Sequence, residues 1–208
     1  MEVYKTDRLD LRNMDCMELM AQFPDNHFDL AVVDPPYRDQ NQPTKDMRKA
    51  GSMKTLEGRP QAEYWNELLR VSKNFVAWGA NNFEMPQWKG FVVWDKGIPE
   101  KFTMSMAEVA AISEGLGSIS KIVKIPVQGQ DRIHPTQKPV ALYKWILANY
   151  AEEGFKLLDT HMGSGSIAIA SHYANMHLTA CELDEDYFKA ACKRIKKETS
   201  QLTFDDWI

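Results

Sequence analysis

The sequence predicts an α/β fold with a mostly parallel sheet and helices on both faces. Short apolar stretches rich in branched residues alternate with longer amphipathic stretches along most of the 208 residues, an order typical of strands joined by crossover helices. A glycine-containing turn stands between a strand and a helix late in the chain, and a pair of prolines ends another strand early in it. This length suits one well-filled core, so we expect a single domain over 1–208.

The predicted elements follow from the spacing of apolar residues, which is two in a strand and three or four in a helix. The strands are expected at 9–11, 28–33, 75–78, 91–94, 108–113, 156–158 and 178–181. The helices are expected at 16–23, 61–72, 140–150, 167–173 and 185–197. The segment 38–60 has little apolar content with which to order itself, so we expect a mobile loop there.

Composition limits the classes of protein. No apolar run approaches the roughly 18–20 residues of a membrane span, and the first residues lack the basic-then-apolar order of a signal peptide. We therefore predict a cytoplasmic protein with no membrane partner. The cysteines at 16, 181 and 192 are odd in number and scattered, which argues against a disulfide framework and a structural zinc site. No metal is expected.

Basic residues are concentrated in two stretches, although the net charge is −4. The segment 38–59 has six basic residues against three acidic ones, and 121–138 has four against one. A positive rim on an acidic body is compatible with transient nucleic-acid binding, and a solvated loop is the simpler alternative for either stretch. The candidate contacts are Arg38, Lys45, Arg48, Lys49, Lys54 and Arg132.

The turn that begins at Asp159 has two glycines, Gly163 and Gly165, between a predicted strand and a predicted helix. Such glycines allow a tight turn and a close approach of a ligand to the backbone. Glu182 follows Gly163 by 19 residues at the end of the next strand, where Rossmann-like folds place an acid that binds a ribose diol. The third glycine of the dinucleotide fingerprint is absent, so a cofactor with one nucleoside fits better than NAD.

The most specific motif is Asp34-Pro35-Pro36-Tyr37 at the carboxyl end of a predicted strand. Its prolines fix φ and lack an N–H, so they make a stiff turn that directs carbonyls and side chains outward. An amino group conjugated into a heterocycle is a poor nucleophile. A carboxylate and a carbonyl that accept its hydrogens would favour its rehybridisation during an attack. Tyr37 offers a ring on which a base could stack, which contributes about 1–3 kcal/mol.

These two turns and the run His134-Pro135-Thr136-Gln137-Lys138-Pro139 resemble the DNA amino-methyltransferases of restriction–modification systems and prophages. The order, with the catalytic motif first and the cofactor turn last, matches the circularly permuted β-type group. Shorter likenesses extend over most of the chain. They lie at 13–15, 23–25, 81–83, 94–97 and 107–108.

The resemblance implies a Rossmann-like methyltransferase domain with a mostly parallel seven-stranded sheet and one antiparallel strand. It divides the chain into a catalytic region (1–114), a short variable segment for target recognition (115–133) and a cofactor-binding region (134–200). The implied activity is transfer of a methyl group from S-adenosylmethionine to N6 of an adenine flipped out of double-stranded DNA. A homodimer is left open.

The resemblance also assigns roles to residues. Asp34, Pro35, Pro36 and Tyr37 would hold the target base. The cofactor would be bound by Asp15, Asp34, Thr136, Lys138, Asp159, His161, Met162, Gly163, Ser164, Gly165, Ser166, Glu182 and Leu183. Asp15 would lie near the cofactor's adenine, and Thr136 and Lys138 near its methionine end. The family usually has Asp-Pro-Phe before the glycine turn, whereas this chain has Asp159-Thr160-His161, so the contact that His161 makes stays open.

Several alternatives remain open at the level of sequence. Cytosine-N4 methylation uses the same turn, more often with serine in place of Asp34. Structured RNA or a protein glutamine amide could be the substrate. A different class of function is also open, in which the chain is a catalytically silent nucleic-acid-binding subunit. No cysteine adjoins either motif in sequence, which fits direct transfer without a covalent intermediate.

Overall fold

A nine-stranded sheet organises the chain in a computed structural model that describes residues 2–38, 40–41, 56–86, 88–127 and 132–200. The sheet strands are β1 (Val3–Lys5), β2 (Leu9–Asn13), β3 (Leu30–Val33), β6 (Phe75–Trp78), β7 (Gly90–Asp95), β8 (Ala107–Ile112), β9 (Lys121–Lys124), β10 (Lys156–Asp159) and β11 (His177–Glu182). A separate two-stranded pair consists of β4 (Gln40–Asn41) and β5 (Leu56–Glu57). The helices are α1 (Cys16–Met20), α2 (Ala62–Val71), α3 (Val140–Tyr150), α4 (Ser166–Tyr173) and α5 (Glu185–Thr199).

The order of the strands across the sheet is β1-β2-β11-β10-β3-β6-β8-β7-β9. Two strands, β1 and β8, run antiparallel to their neighbours, and the other pairings are parallel. The predicted α/β class is confirmed, but the predicted number of seven strands is wrong. The seven central strands of this order, β2-β11-β10-β3-β6-β8-β7, contain one reversed strand, β8, as expected. The strands β1 and β9 extend the two edges of the sheet.

The two additional strands, β1 and β9, were not predicted because they bury few residues. In β1 no residue is buried, and in β9 only Val123 is. Edge strands bury little apolar surface, so they lack the alternation by which strands are recognised in a sequence. The central strands β3 and β6 behave in the opposite way, because all four residues of each are buried, as expected for strands covered on both faces.

Helices cover both faces of the sheet, as predicted. On one face Leu142 and Ile146 of α3 pack with α4 and α5 against Leu30 and Val32. On the other face α1 and α2 pack against the intervening residues of the same strands, with Trp65 and Leu68 in the buried cluster. Burial of apolar side chains of this size contributes about 1.5–3 kcal/mol each, which makes the two clusters the main source of stability.

The ends of the strands position the loops of the site. Pro35 and Pro36 follow β3 after Asp34 and cannot continue its ladder. The helices after two other strands begin at aspartates, since Asp15 caps α1 and Asp184 caps α5 through their carboxylates. Among the residues that the structure describes, no helix has both the length and the apolar composition to cross a bilayer.

Candidate active site

A cavity of 1460 Å³ lies at the sheet edge where the parallel strands end. The residues that follow β3, β10 and β11 line it, as ligand sites in open α/β sheets do. The first residues of β8 reach the same edge because that strand runs in the opposite direction. Ligand pockets usually measure about 300–1,000 Å³, so this cavity has room for two ligands side by side.

One end of the cavity holds five interacting polar side chains. The Tyr37 hydroxyl lies 2.8 Å from Asp34 Oδ1 and 3.1 Å from Glu108 Oε2. The Lys138 ammonium forms an ion pair with Asp34 Oδ2, lies 3.1 Å from Glu108 Oε2 and donates to the Tyr37 oxygen at 3.2 Å. Lys96 Nζ pairs with the other Glu108 oxygen at 2.5 Å. Two carboxylates and two ammonium groups therefore meet around one phenol.

Burial and charge set the protonation of this group. Burial raises the pKa of Asp34 and the nearby Glu108 charge adds to the increase, against the opposing effect of Lys138. The pKa of Glu108 falls to about 2, because Lys138 and Lys96 outweigh the cost of burial. The two carboxylates raise the pKa of Lys138 despite its burial. Glu108 and Lys138 are therefore charged near neutrality, while Asp34 has the higher proton affinity of the two acids.

The ring of Tyr37 is held by its neighbours. Gly79 follows β6 with φ of +71°, and a Cβ at this position would lie 2.2 Å from the ring. Phe83 packs edge-on against the same ring, with centroids 6.0 Å apart. Gly79 is thus required twice, for its left-handed backbone and for the space that Tyr37 occupies. The stiff proline turn and this packing fix the aromatic side chain at the cavity wall.

The other end of the cavity is built on the glycine turn. The Gly163 amide donates to Glu182 Oε2 at 2.9 Å, and the Asp184 amide donates to Oε1 at 3.0 Å. Gly163 has φ of +51° and a Cβ there would lie 3.3 Å from the ring of His134. A Cβ at Gly165 would lie 2.6 Å from the side chain of Ile195. Gly165 therefore allows close packing on α5 and does not line the cavity, whereas Gly163 does.

The structure shows how the unusual Thr160-His161 pair is accommodated. His161 Nδ1 and Thr160 Oγ1 lie 2.9 Å apart, and Thr160 Oγ1 and the Tyr64 hydroxyl share a hydrogen bond of 2.6 Å. The His161 ring packs edge-on against Tyr64 with centroids 5.6 Å apart. Burial lowers the pKa of His161 to about 4, so the imidazole is neutral near pH 7. A hydrogen-bonded chain that begins at Tyr64 of α2 thus holds the His161 ring in place.

Asp159 lies behind the turn and not at the cavity surface. Its side chain is buried, and its Oδ1 accepts a hydrogen bond of 3.0 Å from the His161 amide. Burial raises the pKa of this carboxyl to about 8. The resemblance implied direct contact of Asp159 with a cofactor, but Asp159 does not line the cavity. It stabilises the turn through its hydrogen bond to the His161 amide.

The run that contains Lys138 connects the two ends of the cavity. His134 is buried and stacks edge-on with Tyr187, with centroids 4.5 Å apart, and its Nδ1 lies 3.2 Å from Thr136 Oγ1. Burial lowers the pKa of His134 to about 4. The Lys138 ammonium points to the Asp34 end, although the resemblance placed this residue near the methionine end of the cofactor. Its carbonyl accepts a hydrogen bond from Ser166 at the other end.

The structure brings most of the predicted site residues to one cavity. Asp15 lines it, although its carboxylate caps α1. Arg132 also lines it, whereas Arg38 is exposed and lies outside the lining. The other predicted residues that line it are Asp34, Pro35, Pro36, Tyr37, Thr136, Lys138, His161, Met162, Gly163, Ser164, Ser166, Glu182 and Leu183. The predicted contacts Lys45, Arg48, Lys49 and Lys54, and most of the predicted loop 38–60, lie outside the described residues.

Several residues of the site were not assigned a role from the sequence, among them Glu108, Lys96 and Cys16. Glu108 and Lys96 belong to the Asp34 end, and Cys16 lines the cavity beside Asp15. No cysteine adjoins either motif in sequence, but the fold brings Cys16 to the cavity wall. Burial raises the pKa of Cys16 to about 12, so its thiol stays protonated and is a poor nucleophile.

Comparisons with known proteins find similarity to DNA methylases. Residues 93–193 match the family model described as DNA methylase. The Escherichia coli (strain K12) protein named "Putative methylase YubD" is 29% identical over 218 residues, with 93% of this chain and 95% of that protein covered. The resemblance that the motifs indicated is thereby confirmed.

Solved structures of low sequence identity share the fold. The PvuII DNA methyltransferase (cytosine-N4-specific) superposes with a TM-score of 0.67 at 14% identity, over 95% of this chain and 92% of that one. The M1.HpyAVI–SAM complex superposes with a TM-score of 0.60 at 17% identity, over 93% of this chain and 100% of that one.

Proposed function

We propose that this chain, which resembles the N6/N4 DNA methylases in sequence and fold, transfers a methyl group from S-adenosylmethionine to N6 of adenine in DNA. One observation carries the proposal. A single cavity joins the Asp34–Tyr37 turn, suited to a base, to the Gly163–Glu182 turn, suited to a nucleoside. Two ligand sites in one cavity are what a direct transfer between two bound molecules requires.

The glycine-turn end fits the nucleoside of S-adenosylmethionine. Both Glu182 oxygens accept backbone amides, which fixes the carboxylate, and each oxygen can accept a further hydrogen bond from a ribose hydroxyl. Met162, Leu183 and the neutral ring of His161 add apolar surface to the lining. Glu182, Gly163 and His161 are therefore the residues that would hold this cofactor. When bound, it would supply a methyl group already activated by its sulfonium.

The Asp34 end fits an amino group on a planar base. An Asp34 oxygen and a backbone carbonyl of the proline turn can accept the two amino hydrogens, and the nitrogen lone pair is then freed from the ring for the attack. The reacting base must leave the duplex to reach this depth, at a cost of a few kcal/mol. An aspartate at position 34 favours adenine over cytosine, and Tyr37 supplies an aromatic edge and face at the wall of the pocket.

Duplex DNA is the proposed polymer substrate. Arg132 lines the cavity, and Arg38 follows the proline turn directly and is exposed. Positive side chains beside the base site would contact phosphates flanking the flipped nucleotide. We also propose that the chain can form a homodimer. Light scattering of the free chain and of its DNA complex tests this by measuring the molar mass in solution.

The test is to incubate the chain with isotopically labelled S-adenosylmethionine and mixed-sequence duplex DNA, digest to nucleosides and identify the labelled nucleoside by mass. Asp34→Ala is the site variant, and Asp7→Asn, at an exposed position, is the matched control. N6-methyladenine that disappears only in the Asp34 variant supports the proposal. N4-methylcytosine would change the base, and label that is transferred only when RNA or protein is supplied in place of DNA would change the substrate class.

Cofactor binding is measured separately by calorimetry, with Glu182→Gln as the variant expected to weaken it by about 1–3 kcal/mol. Binding without transfer to any polymer would contradict the enzymatic part of the proposal. Absence of both binding and transfer would favour a catalytically silent nucleic-acid-binding subunit.

A further inference from the structure

Glu108 enters the site through the topology of the sheet. Because β8 is antiparallel to β6 and β7, its second residue lies at the edge where the parallel strands end. Lys96 directly follows β7 at the same edge. The fold therefore places a second carboxylate, in addition to Asp34, within reach of Lys138, and Lys96 pairs with that second carboxylate.

The buried Lys138 ammonium is shared between two carboxylates. Its side chain is 3% exposed, against 12% for Asp34 and 20% for Glu108. In a site with so little exposure to water, a Lys138 ammonium that paired with Asp34 alone would strongly stabilise the ionised carboxylate. Asp34 would then be a weak base. Glu108 Oε2 lies 3.1 Å from the ammonium, and its negative charge offsets part of the positive charge that acts on Asp34.

We propose that Glu108 is a positioning residue that acts through Lys138, so that the Asp34 carboxylate keeps enough basicity to accept a proton from the target amino group. This inference rests on the proposed function. Glu108 touches Lys138, Lys96 and the Tyr37 hydroxyl and needs no contact with the base for this role.

Glu108 supports the proton transfer that follows the methyl transfer. The amino nitrogen uses its lone pair to form the new carbon–nitrogen bond, and the electron pair of the broken carbon–sulfur bond stays with sulfur. The nitrogen is then positively charged until one of its protons passes to an oxygen of Asp34. Asp34 releases that proton to water after the product leaves, and Glu108 and Lys138 keep their charges throughout.

The other groups that face Asp34 do not replace Glu108. Tyr37 donates its hydroxyl proton to Asp34, and its pKa is raised well above its usual value by burial and by the carboxylates, so it stays neutral. Tyr143 of α3 and Asp159 at the end of β10 act on Asp34 through space without a hydrogen bond. Lys96 reaches Asp34 only through Glu108.

The decisive measurement uses the free chain and no cofactor. Aspartate carboxyl carbons are labelled with ¹³C, the Asp34 resonance is identified by its loss in Asp34→Asn, and its titration is followed by NMR. Glu108→Gln removes one negative charge from the group, so we expect the Asp34 titration to move to lower pH by at least about 0.5 unit. Lys96→Gln removes one positive charge, and the titration should move to higher pH.

The double variant Glu108→Gln/Lys96→Gln keeps the summed charge of the group and guards against effects of misfolding. Its Asp34 titration should lie between those of the single variants, while Glu114→Gln, an exposed glutamate that pairs with Lys89, should change nothing. An Asp34 titration that stays in place in Glu108→Gln, in a chain whose thermal unfolding shows it to be folded, overturns the inference.

Activity provides a second readout. The acid limb of the single-turnover rate should follow the NMR titration in each variant, with a lower plateau in Glu108→Gln because Asp34 is then a weaker base. A purely structural role for Glu108 would lower the rate without moving the limb. If the unaltered chain methylates no substrate, the proposed function fails, and the NMR result still decides the effect of Glu108 on Asp34.

Discussion

The Ser166 hydroxyl donates a hydrogen bond of 2.7 Å to the main-chain carbonyl of Lys138. This bond joins the first residue of α4, beside the glycine turn, to the residue whose ammonium holds Asp34. Arg194 supports the junction, since its Nη1 donates to Ser166 Oγ and to the Ser164 carbonyl, each at 2.9 Å. The two ends of the cavity are therefore linked through one serine.

Ser166→Ala is expected to loosen this link. It removes a buried partner from a carbonyl and from a guanidinium, which should lower the free energy of unfolding by about 1–2 kcal/mol in urea titrations. Cofactor affinity and the rate of transfer should both fall, because the Lys138 backbone is no longer tied to the turn. Ser118→Ala, at an exposed serine, is the control, and equal stability of the two variants would contradict the prediction.

Gly79→Ala should damage both folding and transfer. Left-handed backbone alone costs a non-glycine residue about 1–2 kcal/mol, and here the new Cβ would also lie 2.2 Å from the Tyr37 ring. Gly154→Ala isolates the backbone contribution, because Gly154 has φ of +82° and a Cβ there meets nothing within 4 Å. We expect a larger loss of unfolding free energy for Gly79→Ala and a loss of transfer rate confined to it. Equal effects would mean that Tyr37 moves aside without consequence.

The two turns of the site were predictable because each is encoded in contiguous residues. Asp34 to Tyr37 and Gly163 to Ser166 carry their backbone geometry in their prolines and glycines. The Glu108 contact was not predictable in this way, since it depends on the direction of β8, and no residue within an isolated strand encodes that direction. The same limit applies to β9, where Val123 alone is buried, so its place at the edge is decided by pairing with β7 and not by its own pattern.

Arg132→Gln should weaken DNA binding without affecting cofactor binding. If this side chain, which lines the cavity, contacts one phosphate, the slope of log K against log salt should become less steep by about one. Binding is measured by fluorescence anisotropy of a labelled duplex at several salt concentrations. Arg8→Gln, on the loop between β1 and β2, is the control. An unchanged slope for Arg132→Gln would place the DNA elsewhere.

His161 should make stability depend on pH. Burial lowers its pKa to about 4, below the usual value of 6.5, so the unfolded chain binds the proton more readily and stability falls as pH drops from about 6.5 towards 4. His161→Phe should reduce the loss of unfolding free energy between pH 7 and pH 5 by about 1–2 kcal/mol. His177→Phe, at an exposed histidine, should leave that loss as it is. His134 has the same lowered pKa and accounts for a remaining pH dependence.

Asp159→Asn should have the opposite dependence and stabilise the chain at high pH. The folded-state pKa of Asp159 is about 8, above the usual 3.8, so the unfolded chain gains free energy by ionising this carboxyl as pH rises between these values. The asparagine does not ionise and keeps an oxygen for the His161 amide. The advantage of the variant in unfolding free energy should therefore grow by about 2–4 kcal/mol from pH 5 to pH 8. Asp7→Asn, at an exposed aspartate, is the control. An advantage that does not grow with pH would show that Asp159 is ionised in the folded chain, in which case the turn must hold a buried charge.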